Sequence, residues 1–230
     1  MKAEYLAALS KTPLFTGIGR EELASFLICL NPNTQEYAKN EIIATEGAPF
    51  RGIGCVVAGE VSIQKENAAG ERVILSVLKP GSLFGEMAAW SQKPRWPATA
   101  QAMDGCAVMF IPPEKVASPC SRACRWHSVI IQNMLKILSE KALALNRKVD
   151  YLAMKSMRGK LAAYFIEQQK QEGATLFRMP LNRNELADYL GVSRPSMSRE
   201  MGRMRDEGII DFHLATVKIK NMKALKQSLE

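Results

Sequence analysis

The residues best suited to chemistry stand in one run, Ser193-Arg194-Pro195-Ser196-Met197-Ser198-Arg199-Glu200-Met201-Gly202-Arg203. Projected on a helix, Met197, Met201 and Met204 fall within about 60° of one another, and Pro195, Ser196, Arg199, Gly202 and Arg203 lie on the opposite side. The methionine stripe reads as core. The small, cationic face suits a nucleic-acid groove, where a guanidinium donates two parallel hydrogen bonds to guanine O6 and N7. Arg194 and Arg199 are the candidates for that contact. The alternative is a solvated face on which these arginines pair with Asp188 or Glu200.

A second constellation, Cys120-x3-Cys124 with His127, invites a metal, because one helical turn brings such residues to one side. No fourth ligand is in view, and two small residues packing at the entry to a helix is the competing reading. The five cysteines, Cys29, Cys55, Cys106, Cys120 and Cys124, are an odd number with wide spacing and no secretory signal, which predicts reduced thiols.

Around the arginine run the spacing predicts two short helices and a hairpin. Asn182 with Glu185 three residues on is a capping-box variant opening a helix to Leu190; Gly191-Val192 makes the turn; Ser193 caps a second helix that tolerates Pro195 in its first turn. The runs Ile209–Phe212 and Thr216–Lys220 form a wing around His213-Leu214-Ala215, and Asn221 caps a last helix to Leu229. That order is a winged helix-turn-helix. Upstream, Met157 to Gln171 carries an inward stripe at Leu161, Ala162, Phe165 and Ile166.

Further back, Ile131, Leu135, Leu138, Ala142, Leu145, Val149 and Leu152 alternate steps of four and three. This heptad seam predicts a long helix from about Ser121 to Ala153 that buries its narrow stripe against its own copy in a twofold dimer; a buried helix of one globular core is the other reading. From Asn33 to Ile111 short β-type runs are punctuated by Gly47, Gly59, Gly70 and Gly81, at steps of 12, 11 and 11. Such spacing predicts an antiparallel β-roll, jelly-roll-like, preceded by a helical cap over Lys2 to Leu30. The expected class is α+β in three parts: a sensor β-roll over 1–120, a dimerisation helix over 121–153, and a winged helix-turn-helix over 154–230.

Net charge is +8, with 17 Lys and Arg against 14 Asp and Glu before Ala153 and 14 against 9 from there on. The basic excess of the last third fits an anionic partner. No apolar run approaches twenty residues and Met1-Lys2-Ala3-Glu4-Tyr5 opens no signal peptide, so the expectation is a cytoplasmic chain with no membrane partner. No Ser/His/Asp arrangement, P-loop or paired-carboxylate site is visible, and only two histidines occur, which argues against an enzyme.

Two stretches carry a family resemblance. Leu14-Phe15, Val57-Ala58-Gly59-Glu60-Val61 and Phe84-Gly85-Glu86-Met87-Ala88, followed by Pro94-Arg95 and Ala98-Thr99, resemble the cyclic-nucleotide-binding fold. The string from Leu186 to Glu200 resembles the DNA-binding domain of the Crp/Fnr family. Together with the helix between, the resemblance covers essentially the whole chain. It implies a homodimeric transcription regulator that binds a small effector, a double-stranded palindromic operator and RNA polymerase. DNA contacts fall by this resemblance on Ser193, Arg194, Ser196, Arg199 and Arg203, and effector contacts on Gly85, Glu86, Met87, Arg95 and Trp96. Within them a short helix after Gly85-Glu86 offers amides to a cyclic phosphate, Glu86 takes the ribose hydroxyl, and Arg95 pairs with the phosphate.

The chain departs from that pattern at Trp96-Pro97, where the family prefers a small residue beside the arginine, and Arg95 sits one residue early. Pro97 has no N–H to give and Trp96 is bulky enough to fill a nucleotide's place. Pro195 stands where many members carry an acid, which removes a carboxylate-to-cytosine contact. Cyclic nucleotide and a different effector therefore both stay open. Only Cys29 lies near the N-terminus, which excludes the iron–sulfur branch. The texture of Ser193 to Glu200 and of Asp206 to Phe212 is similar to regulators of anaerobic bacteria that respond to nitrosative stress, some of which carry haem; His127 or His213 would ligate it. A ligand-binding module with a vestigial helix-turn-helix remains the rival outside DNA recognition.

Overall fold

The structure is a computed structural model and describes residues 2–66, 72–117 and 125–229. Gly70, Cys120 and Cys124, and the expected opening of the long helix at Ser121, lie outside the described residues. The chain divides into two compact units, Met1–Glu140 and Lys141–Glu230.

In the first unit helices α1 (Ala3–Leu9) and α2 (Arg20–Leu30) precede eight strands: β1 (Asn33–Tyr37), β2 (Ile42–Ala44), β3 (Ile53–Ala58), β4 (Val61–Glu66), β5 (Arg72–Leu78), β6 (Leu83–Phe84), β7 (Thr99–Ala102) and β8 (Cys106–Ile111). They make two four-stranded antiparallel sheets, ordered β1-β8-β3-β6 and β2-β7-β4-β5. Gly47, Gly59 and Gly81 turn the chain with φ of 77°, 70° and 95°, a region that costs glycine nothing. A short helix α3 (Pro113–Ala117) follows.

β8, Cys-Ala-Val-Met-Phe-Ile, is buried at every position, which a strand covered on only one face never is. Its alternate residues serve two cores. Cys106, Val108 and Phe110 join Val56, Phe84 and Trp96 between the sheets. Ala107, Met109 and Ile111 join Ile53, Cys55 and Val57 beneath Leu9, Phe15, Leu23 and Phe26 of the N-terminal cap. Gly54 of β3 has no alternative, since a Cβ there would stand 2.3 Å from the Phe84 ring.

Residues of the long helix α4 (Trp126–Ala153) have different fates along its length. Ile130, Met134 and Ile137 are buried in the helical core of the first unit. Tyr151, in the last turn, is buried in the core of the second. The seam residues Leu135, Leu145, Val149 and Leu152 are exposed.

In the second unit α5 (Met157–Glu172) is capped by Ser156, whose Oγ accepts from Gly159 N at 2.8 Å, and ends at Gly173 with φ of 68°. β9 (Leu176–Arg178) leads to α6 (Arg183–Leu190) and α7 (Arg194–Asp206), then β10 (Ile210–His213), β11 (Thr216–Ile219) and α8 (Met222–Gln227). The three strands pair in the order β10-β11-β9. Among the described residues no helix is long and apolar enough to cross a membrane.

Burial pushes the Cys55 and Cys106 thiols up to about 11 from a usual value near 9, with Asp104 and Glu41 adding to Cys106. The folded state therefore holds these protons after the unfolded chain releases them. Stability from this source is complete below about pH 9 and declines as pH rises from 9 towards 11. Urea midpoints measured across that range should fall, and the fall should be shallower in Cys55→Ala/Cys106→Ala; an unchanged slope would refute the assignment.

Candidate nucleic-acid interface and effector site

Local capping fixes the two helices that carry the arginines. Asn182 Oδ1 accepts from the backbone N–H groups of Asn184 and Glu185 at 2.9 and 3.0 Å, and Glu185 Oε2 accepts from Asn182 N at 2.7 Å. α6 ends at Gly191, φ 64°, where the buried Lys160 of α5 donates to the Leu190 carbonyl at 3.0 Å, a cation at the negative end of the helix. Ser193 caps α7 by accepting from Ser196 N, and its Oγ lies 2.8 Å from Ser196 Oγ.

Met197, Met201 and Met204 are fully buried with Leu161, Phe165 and Leu186. Arg194, Arg199 and Arg203 are exposed. Arg199 Nη2 donates to Ser196 Oγ at 3.2 Å, and Arg203 Nη1 pairs with Glu200 Oε2 at 3.2 Å. The expected alternative, Arg194 or Arg199 paired with Asp188 or Glu200, does not occur: Glu200 is taken by Arg203 and, at 2.6 Å, by Arg158 of α5. Among the described residues neither Arg194 nor Arg199 meets a carboxylate, and Arg199 gives one donor to the Ser196 hydroxyl. Arg158 also forms a two-pronged pair with Glu207 at 2.7 and 2.7 Å, which holds the Glu207 carboxyl below its usual range.

Nothing in the sequence pointed to Arg158 or to Arg183. The Arg183 guanidinium stacks on Phe212 of the wing at 4.9 Å, contacts the Met201 sulfur and donates to the Leu214 carbonyl at 3.4 Å. Arg205 approaches the same ring at 5.5 Å. Apart from Arg205 and Phe212, the contacts of Arg158 and Arg183 join residues 18 to 49 apart in sequence, beyond any helical or hairpin spacing.

In the first unit Gly85, with φ of 80°, sits against Trp96: a Cβ at Gly85 would meet the indole at 2.6 Å and Phe50 at 2.9 Å. Trp96 is 4% exposed and packs on Phe50 and Phe84, ring centroids 4.7 and 5.7 Å away, with Phe110 at 6.3 Å. Glu86 is 2% exposed, whereas Met87 stands in solvent. Residues 86–90 form turns, closed by Ala88 N to Gly85 O at 3.0 Å, instead of the expected short helix. The exposed Arg95 donates to the Gly47 carbonyl at 2.7 Å. The structure thus joins Gly85, Glu86 and Trp96 and turns Met87 and Arg95 elsewhere.

Residues 34–122 match the cyclic nucleotide-binding domain and residues 159–228 the Crp-like helix-turn-helix domain. The chain belongs to the Crp/Fnr family of transcription regulators. It is 24% identical over 216 residues to the cyclic AMP receptor protein of Thermus thermophilus, covering 94% of this chain and 96% of that one. It is 22% identical to the global nitrogen regulator of Synechocystis over 85% and 88% of the two chains. Among solved structures, CprK complexed with OCPA superposes at TM-score 0.65 and 18% identity over 90% of this chain and 93% of that one, which is a likeness of fold.

Against the Crp/Fnr pattern, the residues present do not fit a cyclic phosphate. Arg95 spends its guanidinium on a backbone carbonyl, Pro97 has no amide hydrogen, and aromatic rings fill the space over Gly85. Haem does not fit His127 either. Its ring is 8% exposed and stands edge-on to Phe26 at 4.9 Å, packed as a core side chain whose Nδ1 makes no hydrogen bond. His213 lies in a strand of the wing. Among the described residues no three His, Cys, Asp or Glu side chains converge on a metal position.

Because the Trp96 indole is the shared contact of three other rings, Trp96→Ala should leave a cavity and lower stability by about 3–5 kcal/mol. Chemical denaturation would check it, and a loss below about 1 kcal/mol would mean that the surrounding rings collapse to replace it.

Proposed function

We propose that this chain is a homodimeric transcription regulator, cytoplasmic, that reads a palindromic operator and engages RNA polymerase under the control of a small effector bound by the β-roll. In this reading the sensor spans 1–120, the dimerisation helix 121–153 and the DNA-binding domain 154–230. The observation that carries the reading is α7, whose exposed Arg194 and Arg199 meet no carboxylate among the described residues and stand opposite a fully buried methionine face. Ser193 and Ser196 at the start of α7 supply hydroxyls suited to phosphate, and Arg203 a cation beside them.

The exposed stripe of α4 supports self-association. Four large apolar side chains at heptad spacing in water are costly, and a second copy buries them with the same residues, which is what twofold symmetry demands. Two-fold symmetric α7 helices would then meet half-sites about 34 Å apart. Effector binding acts only by favouring one arrangement of the pair over another.

The test is selection of duplexes from a random pool with the purified protein, followed by affinity and stoichiometry on the selected and on a scrambled duplex across salt. Two chains per duplex, a steep salt dependence and a preference for the selected sequence are expected. Arg199→Ala should lose about 1–3 kcal/mol on the selected duplex and much less on the scrambled one. Absence of salt-sensitive duplex binding would instead leave a ligand-binding module with a vestigial helix-turn-helix.

The effector differs from that named for the Thermus relative. Support comes from Trp96, Pro97 and the engaged Arg95, which leave no phosphate site beside Gly85. Titration calorimetry with cyclic AMP should record no saturable heat and no change in duplex affinity; a saturating isotherm would overturn this part of the reading.

A further inference from the structure

We propose that Arg158 is a positioning residue for DNA reading: it sets the rotation of α7, and hence where Arg194 and Arg199 point, by clamping Glu200 and Glu207 at once. The inference rests on the DNA-binding function proposed above.

Three observations converge on it. First, the apolar contact that seats α7 consists of three methionines, Met197, Met201 and Met204. Unbranched thioether side chains fill space well but specify orientation poorly. A rotation of about 20° moves a side-chain tip at the ~6 Å outer radius of a helix through about 2 Å. That exceeds the range over which a two-pronged hydrogen bond to a base survives. A soft seat alone would therefore leave the reading arginines loosely aimed.

Second, the clamp has the geometry that a soft seat needs. Glu200 and Glu207 are seven residues apart, two turns of α7, so they share one side of the helix and are separated along its axis. A single guanidinium reaches both: Nε to Glu200 at 2.6 Å, and Nη1 and Nη2 to the two oxygens of Glu207 at 2.7 Å each. Two fixed points along an axis define rotation and sliding together, which one ion pair does not. Glu200 is 13% exposed, so its bond is shielded from water and salt.

Third, two of the three charges sit at helix ends that disfavour them, and the clamp offsets that. Arg158 is a cation in the first turn of α5, at the positive end of that helix. Glu207 is the C-cap of α7, an anion at the negative end. Glu200 is an anion on a helix whose neighbours Arg199 and Arg203 serve a polyanion. Helix stability alone gives no reason for Arg158 or Glu207 at those ends.

The experiment compares full-length variants on the selected and the scrambled duplex, with thermal melting to establish folding. Arg158→Gln should lower affinity for the selected duplex about tenfold or more and for the scrambled duplex about threefold at most. Arg158→Lys should recover only part, since an ammonium cannot bridge two carboxylates in a fixed plane. Glu200→Met/Glu207→Met gives the decisive sign. Removing two anions from a DNA-facing helix should tighten scrambled binding, whereas loss of the clamp should weaken selected binding in the same variant. Parallel tightening on both duplexes, or equal loss on both in Arg158→Gln, would overturn the proposal. An unaltered protein that shows no preference for the selected duplex fails the underlying function instead, before any variant is compared.

Discussion

Each unit depends on one stretch of α4: Ile130, Met134 and Ile137 belong to the first core and Tyr151 to the second. Near its start Ile130, Met134 and Ile137 close the helical core against β3 and β8. At its end Tyr151 enters a cluster with Tyr164 and Tyr189, ring centroids 5.6 to 6.3 Å apart, and hydrogen-bonds Glu167, which Arg147 holds at 3.1 Å. Leu152 of the same turn reaches Gly191, where any Cβ would stand 2.6 Å from it. The stripe residues Leu135, Leu145 and Val149 take part in neither core and are exposed. The glycine between α6 and α7 thus has two duties, the left-handed turn and room for the end of α4.

Within the β-roll the same economy appears in two strands. β3 and β8 are covered on both faces, so each of their side chains serves one of two cores and none is left to shape a polar pocket. What distinguishes a sensor of this architecture must then come from the loop between β6 and β7. Here that loop supplies Trp96 to an aromatic cluster and Arg95 to a carbonyl. A tryptophan in a ring cluster and a guanidinium on a backbone oxygen are stabilising uses of side chains that could otherwise face a ligand. In this loop Trp96 is given to packing and Arg95 to a backbone carbonyl.

Elements with local causes were legible in the sequence. Caps, the turn at Gly191, Pro195 in a first turn and the methionine stripe are decided within a few residues, and helices α5 to α8 sit where their signals put them, with ends shifted by one or two residues. The turn glycines announced the roll for the same reason. β1, Asn-Thr-Gln-Glu-Tyr, and the two-residue β6 carried no such mark, because pairing with β8 and β3 makes them strands, not propensity. The site divided along the same line. Which arginines face outward follows from helical period; that Glu200 belongs to Arg158 depends on a contact 42 residues away. The small-residue gap at Trp96-Pro97 was visible as an anomaly, but the direction of the indole was not, since it depends on Phe50, Phe84 and Phe110 meeting there.

The charge pattern of the last third has a structural reason beyond its excess of cations. Four carboxylates lie on α7 or next to it, Glu200, Asp206, Glu207 and Asp211, and each has a basic partner: Arg158 and Arg203 for Glu200, Arg205 for Asp206, Arg158 for Glu207, Lys220 for Asp211. The exposed pairs contribute little to stability. Their effect is on the field: anions that would repel phosphate are neutralised locally, mostly by residues outside the reading face. Arg194 and Arg199 are the arginines of α7 that meet no carboxylate among the described residues, at its first and second turns, where the helix dipole adds to their charge. Selective pairing of this kind converts a modest net charge into a concentrated one. It explains how a unit with 14 Lys and Arg against 9 Asp and Glu from Ala153 on presents one helix end as an anion-seeking surface.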